Sequence, residues 1–237
     1  HMHDRLYALG FDEAAGHFQL DNFGQGGVGG DPVRVEVQDG SGHNNANWNG
    51  NGNDGSTTRI QMFLFDGADP ERDSALDNDL LYHEYAHGLS TRLNGGNMFL
   101  GQSGAMGEGW SDYFGISMNA EPGDDPDGIY PYSAWSTLGY NDTDANYYWG
   151  IRRYPYTTDM SLNPMTYADA DPNQIEYPAG IPVFEWLMGI PADEVHNAGE
   201  IWCQALLDCR AALWNAGLGF AANDLIMQLV VDGLKLM

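Results

Sequence analysis

Residues 83–87 read His-Glu-Tyr-Ala-His, and Glu108-Gly-Trp-Ser-Asp112 follows about twenty positions later. On a helix, positions i and i+4 share a face, so His83 and His87 can offer both imidazoles to one metal ion. Glu84 lies one residue round the helix, where it can meet whatever else that ion holds. Glu108, on a second helix, supplies a third ligand. Two histidines and one carboxylate with an open fourth position are the donor set of a catalytic zinc site rather than a closed structural one. Zinc there polarises a carbonyl and brings the pKa of water toward about 7, and Glu84 is placed to take the proton and pass it on. Asp112 is four residues beyond Glu108, on the same helical face, and can orient a ligand histidine. Two histidines on a surface helix are the plain alternative, but it explains neither Glu84 nor the Glu-x-x-x-Asp pair.

Something must hold these residues. From Asp77, apolar positions at Leu80, Leu81, Tyr85, Leu89 and Leu93 predict a helix that ends at Asn94-Gly95-Gly96. A second helix is expected from about Gly104 to Met118. Further helices are expected near Ile181–Met188, Asp193–Asn215 and Asn223–Leu234. The second of these carries Val195, Ala198, Trp202, Ala205, Leu206, Cys209 and Leu213 along one stripe. Before Asp77 the pattern differs. A short helix opens the chain, an aromatic strand is expected at His17–Phe23, and Val33, Val35 and Val37 alternate with polar residues as in a strand. Ile60–Phe65 reads as another strand, while Asn44–Asn53 is rich in Asn and Gly. Glu121–Gln174 is loop-rich. The expectation is an α+β fold: residues 1–95 form a β-rich lobe ending in the histidine helix, and 96–237 form a mainly helical lobe.

Composition narrows the partners. The 237 residues carry 34 acidic and nine basic side chains, a formal charge of −25, and Lys235 is the single lysine. Such a chain repels nucleic acid and anionic membranes. No apolar stretch reaches spanning length, and no charged-then-apolar segment opens the sequence. The glycine-rich run 24–30 lacks the lysine and following helix of a phosphate cradle. Cys203 and Cys209 fall in one predicted helix about 9 Å apart in rise, too far for a disulfide there, and are expected as buried thiols. Glu121, Asp124, Asp125 and Asp127 form an acidic loop that could supply oxygens to calcium, with a solvated acidic surface as the alternative.

The stretch His-Glu-Tyr-Ala-His-Gly-Leu-Ser-Thr-Arg-Leu, followed by Ser-Gly-Ala-Met-Gly-Glu-Gly-Trp-Ser-Asp, closely resembles the fungalysin family of secreted metallopeptidases, which are related to thermolysin. The resemblance extends to His3-Asp4, Gly10–Gly16, Gly26–Pro32, Asp39–Asn47, Pro155–Asp159 and Gln228–Leu236. It implies a two-lobed thermolysin-like fold, an extracellular zinc endopeptidase acting on proteins or peptides, and an inhibitory propeptide before maturation. The family pattern runs beyond this chain at both ends. Residue by residue, it implies His83, His87 and Glu108 as zinc ligands, Glu84 as general base, and Asp79, four residues before His83, at the place of a calcium ligand in thermolysin-like enzymes. His196, in Glu-Val-His-Asn-Ala-Gly-Glu-Ile-Trp, resembles the histidine that stabilises the oxyanion, with a plain helix-start histidine as the alternative. Asn45-Ala46 resembles an edge strand that pairs with substrate backbone, against an ordinary Asn-rich turn. Arg152 or Arg153 is a candidate for binding a substrate carbonyl, against a structural ion pair. The amine-anchoring Gly-x-Met-Glu-Asn of related aminopeptidases is missing upstream of the zinc helix; Gly104–Glu108 echoes it only superficially. An inactive metal-binding domain would have no need of Glu84.

Overall fold

The computed structural model describes residues 1–96, 98, 100–139, 146–171, 173 and 192–237. The chain opens with helix α1, Met2–Ala8, whose Met2 and Leu6 point inward. A 3-10 turn at Glu13–Ala15 follows, closed by Asp12 at its start and by Gly16 at φ 80°. Strands β1 (Arg34–Glu36), β2 (Ala46–Asn49) and β3 (Arg59–Met62) make a small sheet in the order β1-β3-β2. β1 runs parallel to β3 and β2 antiparallel to it, with Ala46 opposite Met62 and Asn49 opposite Arg59. β2 is therefore an edge strand. β4 (Leu64–Phe65) and β5 (Arg72–Asp73) form a separate antiparallel pair.

The helices carry the rest: α2 (Asn78–Leu93), α3 (Gly101–Asn119), the short α4 (Asn146–Trp149), α5 (Val195–Leu213) and α6 (Ala221–Leu234). Asp77 caps α2 by accepting the Asp79 amide, and Glu194 caps α5 by accepting those of His196 and Asn197. α2 is buried on most of its circumference, since the sheet covers one side and α3 another. That explains why Glu84, Ser90, Thr91 and Arg92 are as hidden as Leu80 and Leu89. One core cluster joins Leu6, Phe11 and Phe18 to residues of α2, α3, α5 and α6, so chain from both sides of position 95 fills it. A smaller cluster of Ala46, Ile60, Met62, Phe65 and Leu80 seats α2 on the sheet. Each large side chain so buried contributes about 1.5–3 kcal/mol of transfer free energy.

The α+β class holds, and all the strands of the described residues fall between Arg34 and Asp73. The strand expected at His17–Phe23 is absent. Gln19 instead accepts the amides of Gly30 and Asp31 and donates its own to the Asp31 carboxylate, so the segment is pinned to the glycine-rich loop rather than to a sheet. The strand expected at Ile60–Phe65 divides at Phe63, whose amide donates to the Asn45 carbonyl. α3 starts three residues earlier than its periodicity implied, and Cys209 is exposed while Cys203 is buried. The helix expected at Ile181–Met188 lies outside the described residues.

Candidate metal centre

α2 and α3 cross so that His83, His87 and Glu108 converge. Their donor atoms all lie within 4.8 Å of one another, and no other such trio of His, Cys, Asp or Glu occurs among the described residues. The Nε2 atoms of His83 and His87 are 3.0 Å apart. His83 Nε2 lies 3.2 Å from Glu108 Oε2, and His87 Nε2 lies 3.3 Å from Glu108 Oε1. Ligands at 2.0–2.1 Å around a tetrahedral zinc stand roughly 3.3 Å from each other, so the three side chains fit that ion. Glu108 Oε2 is buried without a hydrogen-bond partner, as an oxygen reserved for a cation would be.

Behind the ligands stands Asp112. It accepts from His83 Nδ1 at 2.8 Å, from Arg152 Nε and Nη2 at 2.6 Å each, and from the Tyr156 hydroxyl. The bond at Nδ1 fixes the tautomer that leaves the His83 Nε2 lone pair facing the ligand trio. Burial would raise the Asp112 carboxyl, but Arg152 and His83 outweigh it and hold the pKa down at about 2. Burial likewise opposes charge on His83, yet Asp112 and Glu108 lift it to about 10, so a metal entering here displaces a proton. Burial would also raise Glu108, but His87 and His196 keep it well below the ordinary carboxylate range. Glu84 differs: its burial prevails, and its pKa is raised.

α5 approaches α3 backbone to backbone. A Cβ on Gly199 would come within 2.6 Å of Glu108 Cβ, and one on Gly109 within 2.5 Å of the Gly199 carbonyl. This close crossing brings His196 Nε2 to 3.5 Å from Glu108 Oε2. The other ring nitrogen, Nδ1, is 2.8 Å from Glu194 Oε1. Burial disfavours the imidazolium of His196, but Glu108 and Glu194 prevail and raise its pKa.

A cleft of about 260 Å³ opens over these groups, with Glu84, Glu108 and His196 in its lining. Asn45 and the edge-strand residues Ala46, Asn47 and Trp48 line it, as do Ile151, Arg152 and Val195. Five of the residues singled out in the sequence for chemistry, His83, Glu84, His87, Glu108 and His196, thus meet in one place, with Asn45, Ala46 and Arg152 beside them. Arg153 faces away. It is 2% exposed, and its guanidinium donates to Glu200 and to the Asn197 carbonyl.

The carboxylates considered for calcium do not form a three-ligand group. Asp79 accepts from Asn119 Nδ2 and the Ser133 amide, while Asp124 and Asp125 accept amides of their own loop. Asp127 accepts from Thr158 and Asn215. Sequence reasoning missed Glu194; a carboxylate two residues before a helix-start histidine was the available signal.

The fungalysin metallopeptidase family model matches residues 1–237. The chain belongs to the fungalysin metallopeptidases. Extracellular metalloproteinase 2 of Trichophyton rubrum is 38% identical over 99% of the chain, and extracellular metalloproteinase MEP of Pyricularia oryzae is 36% identical over 99%. Extracellular metalloproteinase 2 of Arthroderma gypseum is 38% identical over all of it. The chain spans 36% of the length of each of these three relatives. The fungalysin resemblance seen in residues 83–112 is thus a family membership covering the whole chain. No helix among the described residues is long and apolar enough to cross a membrane.

Proposed function

We propose that this chain is the catalytic part of a secreted zinc endopeptidase that hydrolyses internal peptide bonds. The observation that carries the reading is the convergence of His83, His87 and Glu108 in a cleft that also holds Glu84 and His196. Zinc held by the three ligands would supply Lewis-acid polarisation of the scissile carbonyl and a water of lowered pKa. Glu84 takes the proton released during attack and hands it to the leaving amine; its raised pKa suits a group that must accept and then donate. His196, oriented by Glu194, donates a hydrogen bond toward the developing oxyanion. Asp112 holds both the His83 ring and Arg152, and Arg152 presents its edge to a substrate carbonyl.

The same proposal extends to the fold. The segment containing the strands and the segment containing α3 and α5 act as the two lobes of a thermolysin-like enzyme, with α2 between them. An extended peptide adds to the free edge of β2, with its backbone meeting Asn45 and Ala46. Fungalysin relatives named as extracellular support secretion. A family-type inhibitory propeptide would occupy this cleft before maturation. The reading requires zinc.

Hydrolysis of an N-terminally blocked, internally quenched peptide, with and without a zinc chelator, tests the proposal. Chelator-sensitive internal cleavage is expected. Release of residues only from unblocked ends would replace it with an aminopeptidase. No cleavage by protein carrying zinc would replace it with a metal-binding domain.

A further inference from the structure

We infer that Gly88 is a positioning residue for the substrate strand, acting through Trp48. The inference rests on the reading of β2 as the edge to which a peptide adds. Gly88 follows His87 in the middle of α2 and is buried. Glycine inside a helix is less favourable than alanine, because it leaves more backbone freedom to lose. Its backbone here is helical, so no left-handed angle calls for glycine. The packing does. A Cβ on Gly88 would lie 2.5, 2.7 and 2.9 Å from Cη2, Cζ2 and Cζ3 of Trp48, well inside the roughly 3.5 Å at which carbon atoms meet.

The indole has little room to retreat. Its ring centroid lies 5.3 Å from that of Phe18, and Gly50 approaches so closely that a Cβ there would be 2.9 Å from Trp48 Nε1. Trp48 belongs to β2, sits opposite Ile60 in the sheet, and lines the cleft together with Asn45, Ala46 and Asn47. A methyl group on Gly88 must therefore push the indole into the cleft or push β2 away from α2. Both changes alter the distance between the strand edge and the His83–His87 pair, and a docked peptide must span that distance to place its carbonyl. The missing side chain at 88 sets the width of the cleft.

The test is a double-mutant cycle in the full-length protein: wild type, Gly88→Ala, Trp48→Leu and the double variant, with Gly233→Ala as a helix-glycine control that has open space around it. Two quantities are read. One is KM and kcat for the blocked quenched peptide. The other is the Kd of a fluorescent peptide for chelator-treated protein, by anisotropy, which depends on the strand and not on the metal. Gly88→Ala is expected to raise KM and Kd about tenfold, with kcat changed by less than about threefold. In the Trp48→Leu background the same change is expected to cost less than about twofold, because the atoms it strikes are gone. A purely structural effect would lower the active fraction, leave KM alone, and show no rescue. Unchanged Kd in Gly88→Ala, or equal loss in both backgrounds, overturns the inference. Wild-type protein that binds the peptide without cleaving it sinks the peptidase reading and leaves the Kd cycle to judge Gly88. Wild-type protein that does neither overturns both.

Discussion

Among the described residues two pairs of histidines touch, and one of the two has the form of a metal site. His83 and His87 lie with ring centroids 4.6 Å apart, and His3 and His17 are closer still, at 4.2 Å. Both pairs have carboxylates nearby. The difference lies in where the nitrogen lone pairs point. In the first pair, Asp112 takes His83 Nδ1, and both Nε2 atoms face Glu108. In the second, His3 spends its nitrogens on Asp4 and Gln19, and His17 Nε2 faces the His3 carbonyl. The His17 Nδ1 is buried without a partner. Contact between imidazoles is therefore common to both, while convergence on a shared point, enforced by a third group behind the ring, belongs to one.

The sharpest way to break the comparison is to leave the first pair intact and remove the chemistry beside it. Glu84→Gln should keep zinc bound while turnover of the blocked peptide falls about 10²–10⁴-fold, the usual contribution of a general base. Metal content and kcat measured on the same preparation decide it. Wild-type-like turnover would mean that Glu84 is not the base.

The second pair should show itself in acid. Burial drives the His17 pKa down to about 4, helped by the neighbouring His3 and opposed by the His3 carbonyl and Glu13. In the unfolded chain a histidine titrates near 6.5. Between those values the unfolded state binds the proton and the folded state does not, so stability is full above pH 6.5 and falls as pH drops toward 4. The loss from this one group is at most about 3 kcal/mol. Urea midpoints for wild type and His17→Gln, taken from pH 7 to pH 4, isolate it from the titrating carboxylates. The advantage of wild type should shrink, then reverse, across that window. Parallel curves would count against a neutral, buried His17.

Asp112→Asn attacks the enforcement itself. It keeps the size of the side chain but lets the amide present the wrong group to His83 Nδ1 or to Arg152. Metal affinity should weaken about 10–100-fold, as expected when a group behind a ligand histidine is changed. Competition with a zinc-binding dye would measure it. Affinity equal to wild type would show that the ring is held by packing alone.

Much of the site was legible in the sequence because helical spacing is geometry: positions 83, 84 and 87 on one helix and 108 and 112 on another fix the directions of five side chains before any fold is known. The same holds for α5 and α6, whose apolar residues gather on one face. The strands were harder. His17–Phe23 alternates like a strand, but the Asp31 carboxylate and the turns around it hold that segment in a loop, and only tertiary contact reveals this. Arg152 and Arg153 are neighbours of one type, and no local pattern says which of them meets the cleft and which meets Glu200. Gly88 reads as a weak spot in the zinc helix until Trp48, forty residues earlier, is seen against it.

The smallest expected effect is also the most selective. An ion that binds the folded chain and not the unfolded one stabilises it by an amount that grows with concentration, about 2.7 kcal/mol at a hundredfold excess over Kd. Chelator-treated protein titrated with zinc should therefore gain Tm, and His83→Gln should abolish the gain by removing a ligand. His3→Gln should leave it unchanged, although it disrupts the more tightly packed of the two pairs and lowers the starting Tm. A thermal-shift titration of the three proteins reads this directly. Loss of the zinc-induced gain in His3→Gln would mean that the second pair also binds the ion, and that ring contact, not convergence, is what makes these histidines a site.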